Sequence, residues 1–384
     1  MKRRRGRLVQ IESLSEFDDR LAAGASSLRG WRLRGLDLTS YTAQLHRLEL
    51  AGASFLGCTF ANGDGDYAEA AGALVLPTIK EVPVDVYRGR LYTADELYDD
   101  PSYALSLDAR AYAWSQHPSE HSPEDELARA LHDHAIDQAL AAWITQRHRE
   151  RSRIVGVMGG HALTRTEPAY ADAARLGRLL GRDHVVATGG GPGAMEAANL
   201  GAWLAEEPGD ELEDALTALA VVPTFRPSIQ QWARVALEVR ARLDGADRRS
   251  LGIPTWHYGH EPPNVFAGAI AKYFRNATRE AILLEVCDAG IVFLPGAGGT
   301  VQEVFQDACE NYYADASAVA PMVLVGVDHW TRELPAWPLL QSLAKGRPME
   351  GHVHLVDSLE EVAELFGVRR WPDRAGRPAP AAPR

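Results

Sequence analysis

Lysine is scarce in this chain. Lys2, Lys80, Lys272 and Lys345 are the only four in 384 residues, so most of the 40 basic side chains are arginines, and chemistry that needs a reactive lysine has few positions to use. Cysteine is scarcer still. Cys58, Cys287 and Cys309 are odd in number and lack metal-ligand spacing, which points to a reducing, cytoplasmic setting and to three core residues rather than reactive thiols. Long apolar runs are missing: nothing approaches the ~18 uninterrupted apolar residues of a spanning helix. The basic run Lys2 to Arg7 has no apolar segment behind it, so it reads as a solvated end rather than a signal peptide or anchor. Positive charge is also in deficit. A net charge of -12 argues against a general nucleic-acid binder, because counterion release needs clustered Lys and Arg. What is present, 46% hydrophobic and 24% charged residues, is an ordinary globular composition with length enough for two domains.

In chain order, Ser13 to Ala23 reads as a short helix closed by Gly24. Leu33 and Leu38, then after a longer gap Leu45, Leu50, Phe55 and Phe60, follow a spacing of five, with Trp31, Leu36, Ala43, Leu48, Ala53 and Cys58 two before each. A period of five suits neither helix nor plain strand. It resembles the pentapeptide-repeat pattern over roughly residues 31–62, with an ordinary set of small strands as the other reading. Strands and loops follow from Ala73 to Leu97, and a domain boundary falls between Tyr112 and Ser122. This gives an accessory domain over residues 1–115, of mixed or pentapeptide-like β character. Ser122 as N-cap, Pro123 at the first helical position and Glu124 to Glu126 in the first turn then open a helix to about Arg149. His132, Asp133, His134 and Asp137 on it lack the geometry of a metal site, and no metal is expected.

From Arg153 the pattern becomes strand, glycine turn, helix. Strands are predicted at Arg153 to Met158, His184 to Thr188, Ala218 to Pro223, Leu251 to Trp256, Ile291 to Leu294, Met322 to Val327 and His354 to Val356. Helices are predicted at about Pro168 to Leu180 and Asn264 to Val286. Such alternation implies an α/β fold with a doubly wound parallel sheet over residues 122–368, whose ligands bind beyond the carboxyl ends of the strands. Three glycine-rich turns fall at that edge, starting at Gly159, Gly189 and Gly296. The last is the most telling. After Pro295, Gly296, Gly298 and Gly299 would turn with positive φ, Thr300 would open a helix whose free N–H groups face the turn, and Glu303 lies one turn in. This is a phosphate cradle with a carboxylate at its lip. Residues 369–384, rich in Pro, Ala and Arg, read as a disordered tail.

GGGPGAMEAAN, Gly189 to Asn199, and PGAGGTVQE, Pro295 to Glu303, together resemble the paired signatures of the Lonely Guy (LOG) family, once catalogued as lysine decarboxylases. The resemblance covers roughly Arg153 to Leu365. It implies a Rossmann-like fold, a homodimer and a phosphoribohydrolase that cleaves a nucleoside 5'-monophosphate, AMP or a cytokinin ribotide, to free base and ribose 5-phosphate without a cofactor. The larger bacterial nucleotide nucleosidases are similar, less closely. The family's arginine falls on Arg279, nine residues before Asp288, with Arg275 as a fallback, and its glutamate on Glu303. Ala297 stands where the family has its second glycine, and one residue more separates Asp288 from Pro295. The decarboxylase label does not suit the chain: pyridoxal chemistry needs a Schiff-base lysine, and only Lys272 falls near the corner.

On this reading Glu303 stabilises an oxocarbenium-like ribose and holds a hydroxyl or water. Arg279 pairs with phosphate or orients Glu303, and Gly296, Gly298, Gly299 and Thr300 supply the cradle. Gly189, Gly190, Gly191 and Met195 form the opposite wall, and Gly159 and Gly160 the floor. His257 and His260, with Glu261, either assist the leaving base or pack through Trp256 and Tyr258 against a dimer partner. Thr224, Phe225 and Arg226 are weaker candidates. The competing class is a non-catalytic nucleotide or molybdenum-cofactor carrier of the same fold, and the amino-terminal region is either a regulator or a stabiliser. Neither nucleic acid nor membrane is an expected partner.

Overall fold

The computed structural model describes residues 9–116, 122–207, 209–243, 249–257 and 261–368. Lys2 to Arg7, His260 and the 369–384 tail lie outside them. Contacts divide the chain into two compact units: Met1–Gln146 with Thr255–His260 and Ala271–Asn276, and Arg147–Pro254 with Glu261–Ile270 and Ala277–Arg384. The first therefore takes in most of the long helix that the sequence reading assigned to the second domain.

In the first unit β1 (Val9–Ile11), α1 (Leu14–Ala22), β2 (Trp31–Arg34), α2 (Thr42–Leu45), β3 (Ser54–Leu56), α3 (Asp64–Ala70) and β4 (Leu74–Leu76) alternate, and the four strands form one parallel sheet in chain order. Ser13 caps α1 by accepting from the Glu16 N–H. Each coil is about 22 residues long: Val9 pairs with Trp31, and Arg32 with Ser54. The inward positions repeat with it, Leu28 with Leu50 and Leu33 with Phe55, all at most 2% exposed. The spacing of five is thus part of a longer repeat, in a coil of short parallel strands. Within one coil inward residues do recur every five, but each coil also carries a short helical turn, which is why the spacing breaks between Leu38 and Leu45. The backbone reverses at Gly35 and Gly57, both with positive φ, one coil apart.

The remainder of the unit holds α4 (Ala94–Leu97), α5 (Leu107–Ser115) and α6 (Pro123–Arg149). Ser122 and Asp125 cap the start of α6 reciprocally. His132 is buried against Tyr92, whose hydroxyl lies 2.8 Å from Nε2, and Asp133. Burial lowers its pKa, so it is a neutral core histidine. Asp133 accepts from the backbone N–H groups of Phe274 and Arg275.

The second unit runs β5 (Arg153–Met158), α7 (Pro168–Leu180), β6 (His184–Thr188), α8 (Ala194–Trp203), α9 (Gly209–Leu219), α10 (Ile229–Arg242), β7 (Ser250–Gly252), β8 (Ala269–Ile270), α11 (Asn276–Glu285), β9 (Gly290–Phe293), α12 (Gly298–Tyr313), β10 (Met322–Val325), α13 (Trp337–Ala344), β11 (Val353–Val356) and α14 (Leu359–Leu365). Its seven strands are all parallel in the order β11-β10-β9-β5-β6-β7-β8. The chain winds outward from β5 to β8, returns to the centre and winds the other way from β9. This is the doubly wound topology, with its switch point between β5 and β9. Two expected elements differ. Ala218 to Pro223 is the end of α9 and a turn, not a strand, and the expected helix from Asn264 contains β8 before α11 begins at Asn276. Cys58 and Cys287 are core residues, whereas Cys309 on α12 is exposed.

Candidate functional site

At the switch point the turns after β5 and β9 touch. The Gly160 N–H donates to Pro295 O at 3.3 Å, and Gly160 O accepts from the Ala194 N–H at the start of α8. Three of the expected glycine turns, with the head of α12, therefore meet at one corner of the carboxyl edge.

The Gly189–Gly193 turn is packed solid. A methyl at Gly189 would lie 2.3 Å from Arg279 Nη2 and 2.7 Å from Met195 Sδ; at Gly191 it would meet Met195 Cε at 2.9 Å; at Gly159, Ala194 Cβ at 2.9 Å. Gly190 and Gly193 have φ of +72° and +71° and are crowded by Pro254 and by the backbone of Gly160 and His161. Behind the turn lies a closed polar network. Thr188 Oγ1 donates to Asn199 Oδ1 at 2.6 Å and accepts from the Gly190 N–H at 3.0 Å; Asn199 Nδ2 donates to Ser250 Oγ at 2.9 Å; Asn264 Nδ2 donates to Asn199 Oδ1 and Gly191 O, while its N–H donates to Gly190 O. Asn199 and Asn264 are fully buried, so each bond replaces one to water, and the turn is rigidly held. Next to Met195, Glu196 forms a buried ion pair with Arg165, Nε to Oε2 3.0 Å, completed by the Tyr170 hydroxyl at 2.9 Å.

Arg279, 8% exposed, donates through Nε to Ile253 O at 2.6 Å and through Nη2 to Gly189 O at 3.2 Å. It braces the glycine turn and the end of β7, and its charge reaches Glu303 without an ion pair. Glu303 is half-buried, and none of the described residues donates a hydrogen bond to it. Burial raises its carboxyl to about 7, opposed by Arg279 and reinforced by Glu280. One turn on, burial takes Asp307 to about 8, with Glu310 adding to it. Both carboxyls therefore change charge near neutrality.

The head of α12 is the opposite of the first turn. A methyl at Gly298 or Gly299 would have nothing within 4 Å, and both residues are exposed at the free N–H end of a helix of 16 residues. The expected positive φ is absent at Gly296, Gly298 and Gly299. Gly298 and Gly299 are already helical, with Ala297 as N-cap, so Ala297 costs the turn nothing. Gly296 is needed for a close approach instead: a methyl there would lie 2.2 Å from Thr300 Oγ1. Thr300 is correspondingly buried beneath the turn, so the exposed donors of the cradle are backbone groups.

Other candidates fall elsewhere. His257 is exposed and belongs to the first unit, as does Arg275, which precedes α11 and does not share a helical face with Arg279. Thr224 to Arg226 follow α9 rather than a strand. His260 lies outside the described residues. The sequence reading also missed residues that the structure brings in. His329, beyond β10, places Nε2 3.4 Å from Gly296 N and 3.2 Å from Gly296 O. His161, also missed, lies 3.5 Å from Glu261, which the sequence reading did name beside His257 and His260; Glu261 stands at Gly191 and the His161 backbone at Gly193. Single residues in loops carry no periodicity, and Glu196 and Asn199, although inside a quoted motif, were given no role.

Among the described residues no group of three or more His, Cys, Asp or Glu could hold a metal ion, and no helix is long and apolar enough to cross a membrane. No protein-family model matches the chain, and no curated protein matches it. Solved structures do. The molybdenum cofactor binding protein from the phototrophic bacterium Rippkaea orientalis is similar over 56% of this chain and 96% of its own, at 21% identity and a TM-score of 0.35. The Moco carrier protein from Chlamydomonas reinhardtii is similar over 56% and 99%, at 20% identity and a TM-score of 0.34. The Rossmann-like fold of the second unit is carried by its own strand order.

Proposed function

We propose that the second unit binds a small phosphorylated heterocycle, a nucleoside monophosphate or the phosphate-bearing molybdenum cofactor, with its phosphate on the head of α12. The open face of Gly298 and Gly299 carries this reading: it is the one part of the corner where backbone donors meet free space, and it lies at the switch point where doubly wound sheets take ligands. Binding without turnover agrees with the use of Arg279, which spends two donors on the carbonyls of Ile253 and Gly189. Titration of the protein with AMP, GMP and molybdenum cofactor tests it. Saturable binding of at least one is expected, and none binding would overturn it.

A second reading, hydrolysis of the N-glycosidic bond of a nucleoside monophosphate, is favoured by Glu303. A carboxyl raised to about 7 by burial, with no hydrogen-bond donor among the described residues, suits proton transfer at neutral pH, and as a carboxylate it would stabilise positive charge on the ribose. Arg279 would then hold the turn that faces it. Chromatography for free base and ribose 5-phosphate separates the two: products lost in Glu303→Gln support hydrolysis, and binding without products supports the carrier. A homodimer belongs to the same proposal and is tested by sedimentation.

A further inference from the structure

The first unit contains a cavity of about 620 Å³ that none of the chemistry above uses. It lies at the carboxyl ends of the four parallel strands: Glu12 follows β1, Arg34 and Gly35 end β2, Gly57 follows β3 and Thr78 follows β4. Val84 to Arg90 close it from above. The volume suits a small-molecule ligand, and the place is the one where parallel sheets present strand-end donors.

Its walls are charged, and the charges are unevenly satisfied. Every acidic side chain has a partner. Glu12 lies 3.3 Å from Arg34 Nη1, Asp85 accepts from the Tyr87 N–H at 2.9 Å, and Glu96 meets Arg90 at 3.1 Å and the Thr93 N–H at 2.8 Å. Arg88 is likewise engaged, donating to the carbonyls of Arg90 and Leu91 with its guanidinium 3.4 Å from the centre of the Tyr92 ring. Arg34 is not. Among the described residues only its Nη1 finds acceptors, Gln10 and Glu12, and its buried Nε has none. The side chain is 8% exposed. Burial closes Nε off, so Nη2 is the donor left for an oxygen of a carboxylate or phosphate. Gly89 lets the covering segment press against this guanidinium: a methyl there would lie 2.3 Å from Nη1 and 1.7 Å from Glu12 Oε1.

We propose that this cavity binds a small molecule carrying a carboxylate or phosphate group, gripped by Nη2 of Arg34 beneath Val84 to Arg90. The site is built wholly within the first unit and does not depend on what the second unit binds. The incompletely used guanidinium points to an anionic group, and the cavity's volume to a small molecule.

Hydrogen–deuterium exchange on the full chain, with inorganic phosphate, AMP or succinate added separately at millimolar concentration, tests it. Slowed exchange across residues 84–90 is expected with at least one probe. Phosphate or AMP acting alone assigns a phosphorylated ligand, and succinate acting alone assigns a carboxylate. The protection persists in Gly299→Asp, which alters only the other unit. Arg34→Lys, which keeps the charge but not the guanidinium donor, weakens binding by at least about tenfold in protein that still melts cooperatively. No protection at 84–90 with any probe, or unchanged affinity in folded Arg34→Lys, overturns the proposal.

Discussion

At Gly189, Gly190 and Gly193 an added methyl would strike Arg279, Pro254 or the backbone of Gly160, whereas at Gly298 and Gly299 it would strike nothing. Both stretches read alike in the sequence, as glycine-rich strand-to-helix turns of one sheet edge. Their glycines answer different needs. The first set lets protein approach protein, closing a turn already saturated by Asn199, Asn264 and Arg279. The second set leaves the helix head bare and open to a ligand. The contrast separates residues whose loss harms the fold from residues whose loss harms binding alone.

Variants can break or sharpen that contrast. The largest effect is expected beneath the packed turn: Arg165→Met leaves Glu196 charged and buried, at a cost of about 3–5 kcal/mol in denaturant unfolding. A loss under about 1 kcal/mol would show that the pair is not integral to the turn. Next, Gly190→Ala combines a positive φ with a 2.7 Å approach to Pro254 Cδ and should cost about 2–4 kcal/mol. If it unfolds like wild type, the packed reading of this turn is wrong.

Glu303→Gln comes third and goes the other way. The carboxyl is raised to about 7 in the fold, so it stabilises the protein fully below its unfolded pKa of about 4.3, and that contribution is lost as pH rises through about 7. The variant should therefore gain about 1–3 kcal/mol on wild type between those limits and hold the gain above them. A difference that is flat with pH would contradict the burial argument. Asp307 acts with the same sign up to about 8, in both proteins alike. The smallest change is Gly298→Ala, which should be neutral or add up to about 1 kcal/mol through helix propensity. Destabilisation there would mean the head of α12 is packed after all.

Much of the second unit was legible because its signals are local. Pro168 begins α7 where its missing N–H costs nothing, and the continuous apolar runs of β5, β6 and β9 mark strands buried on both faces. Ala218 to Pro223 misled for the same reason: a short apolar run does not say whether it ends a helix or forms a strand, and here Leu219 is buried while Val221 is 76% exposed. In the first unit the five-residue spacing was real but belonged to a longer coil. Its one irregular gap, Leu38 to Leu45, was the sign of the helical turn that completes each repeat. At the corner, Glu303 was picked from its motif and Arg279 from its spacing to Asp288, yet the bracing duty of Arg279 depends on Ile253, a partner 26 residues away in sequence whose carbonyl no pattern marks. His329 and Asn264 depend on tertiary contacts of the same kind.

The central claim is that the head of α12 is a ligand face and not a packing face. Gly299→Asp tests it most directly, because an acidic residue in the first turn suits a helix start but sets a negative charge where the phosphate would lie. Calorimetric titration of wild type and this variant with AMP, GMP and molybdenum cofactor, beside their unfolding curves, reads both properties at once. The account predicts that the variant is as stable as wild type or more so and has lost binding of whichever ligand wild type takes. Equal affinity in the two proteins would contradict it.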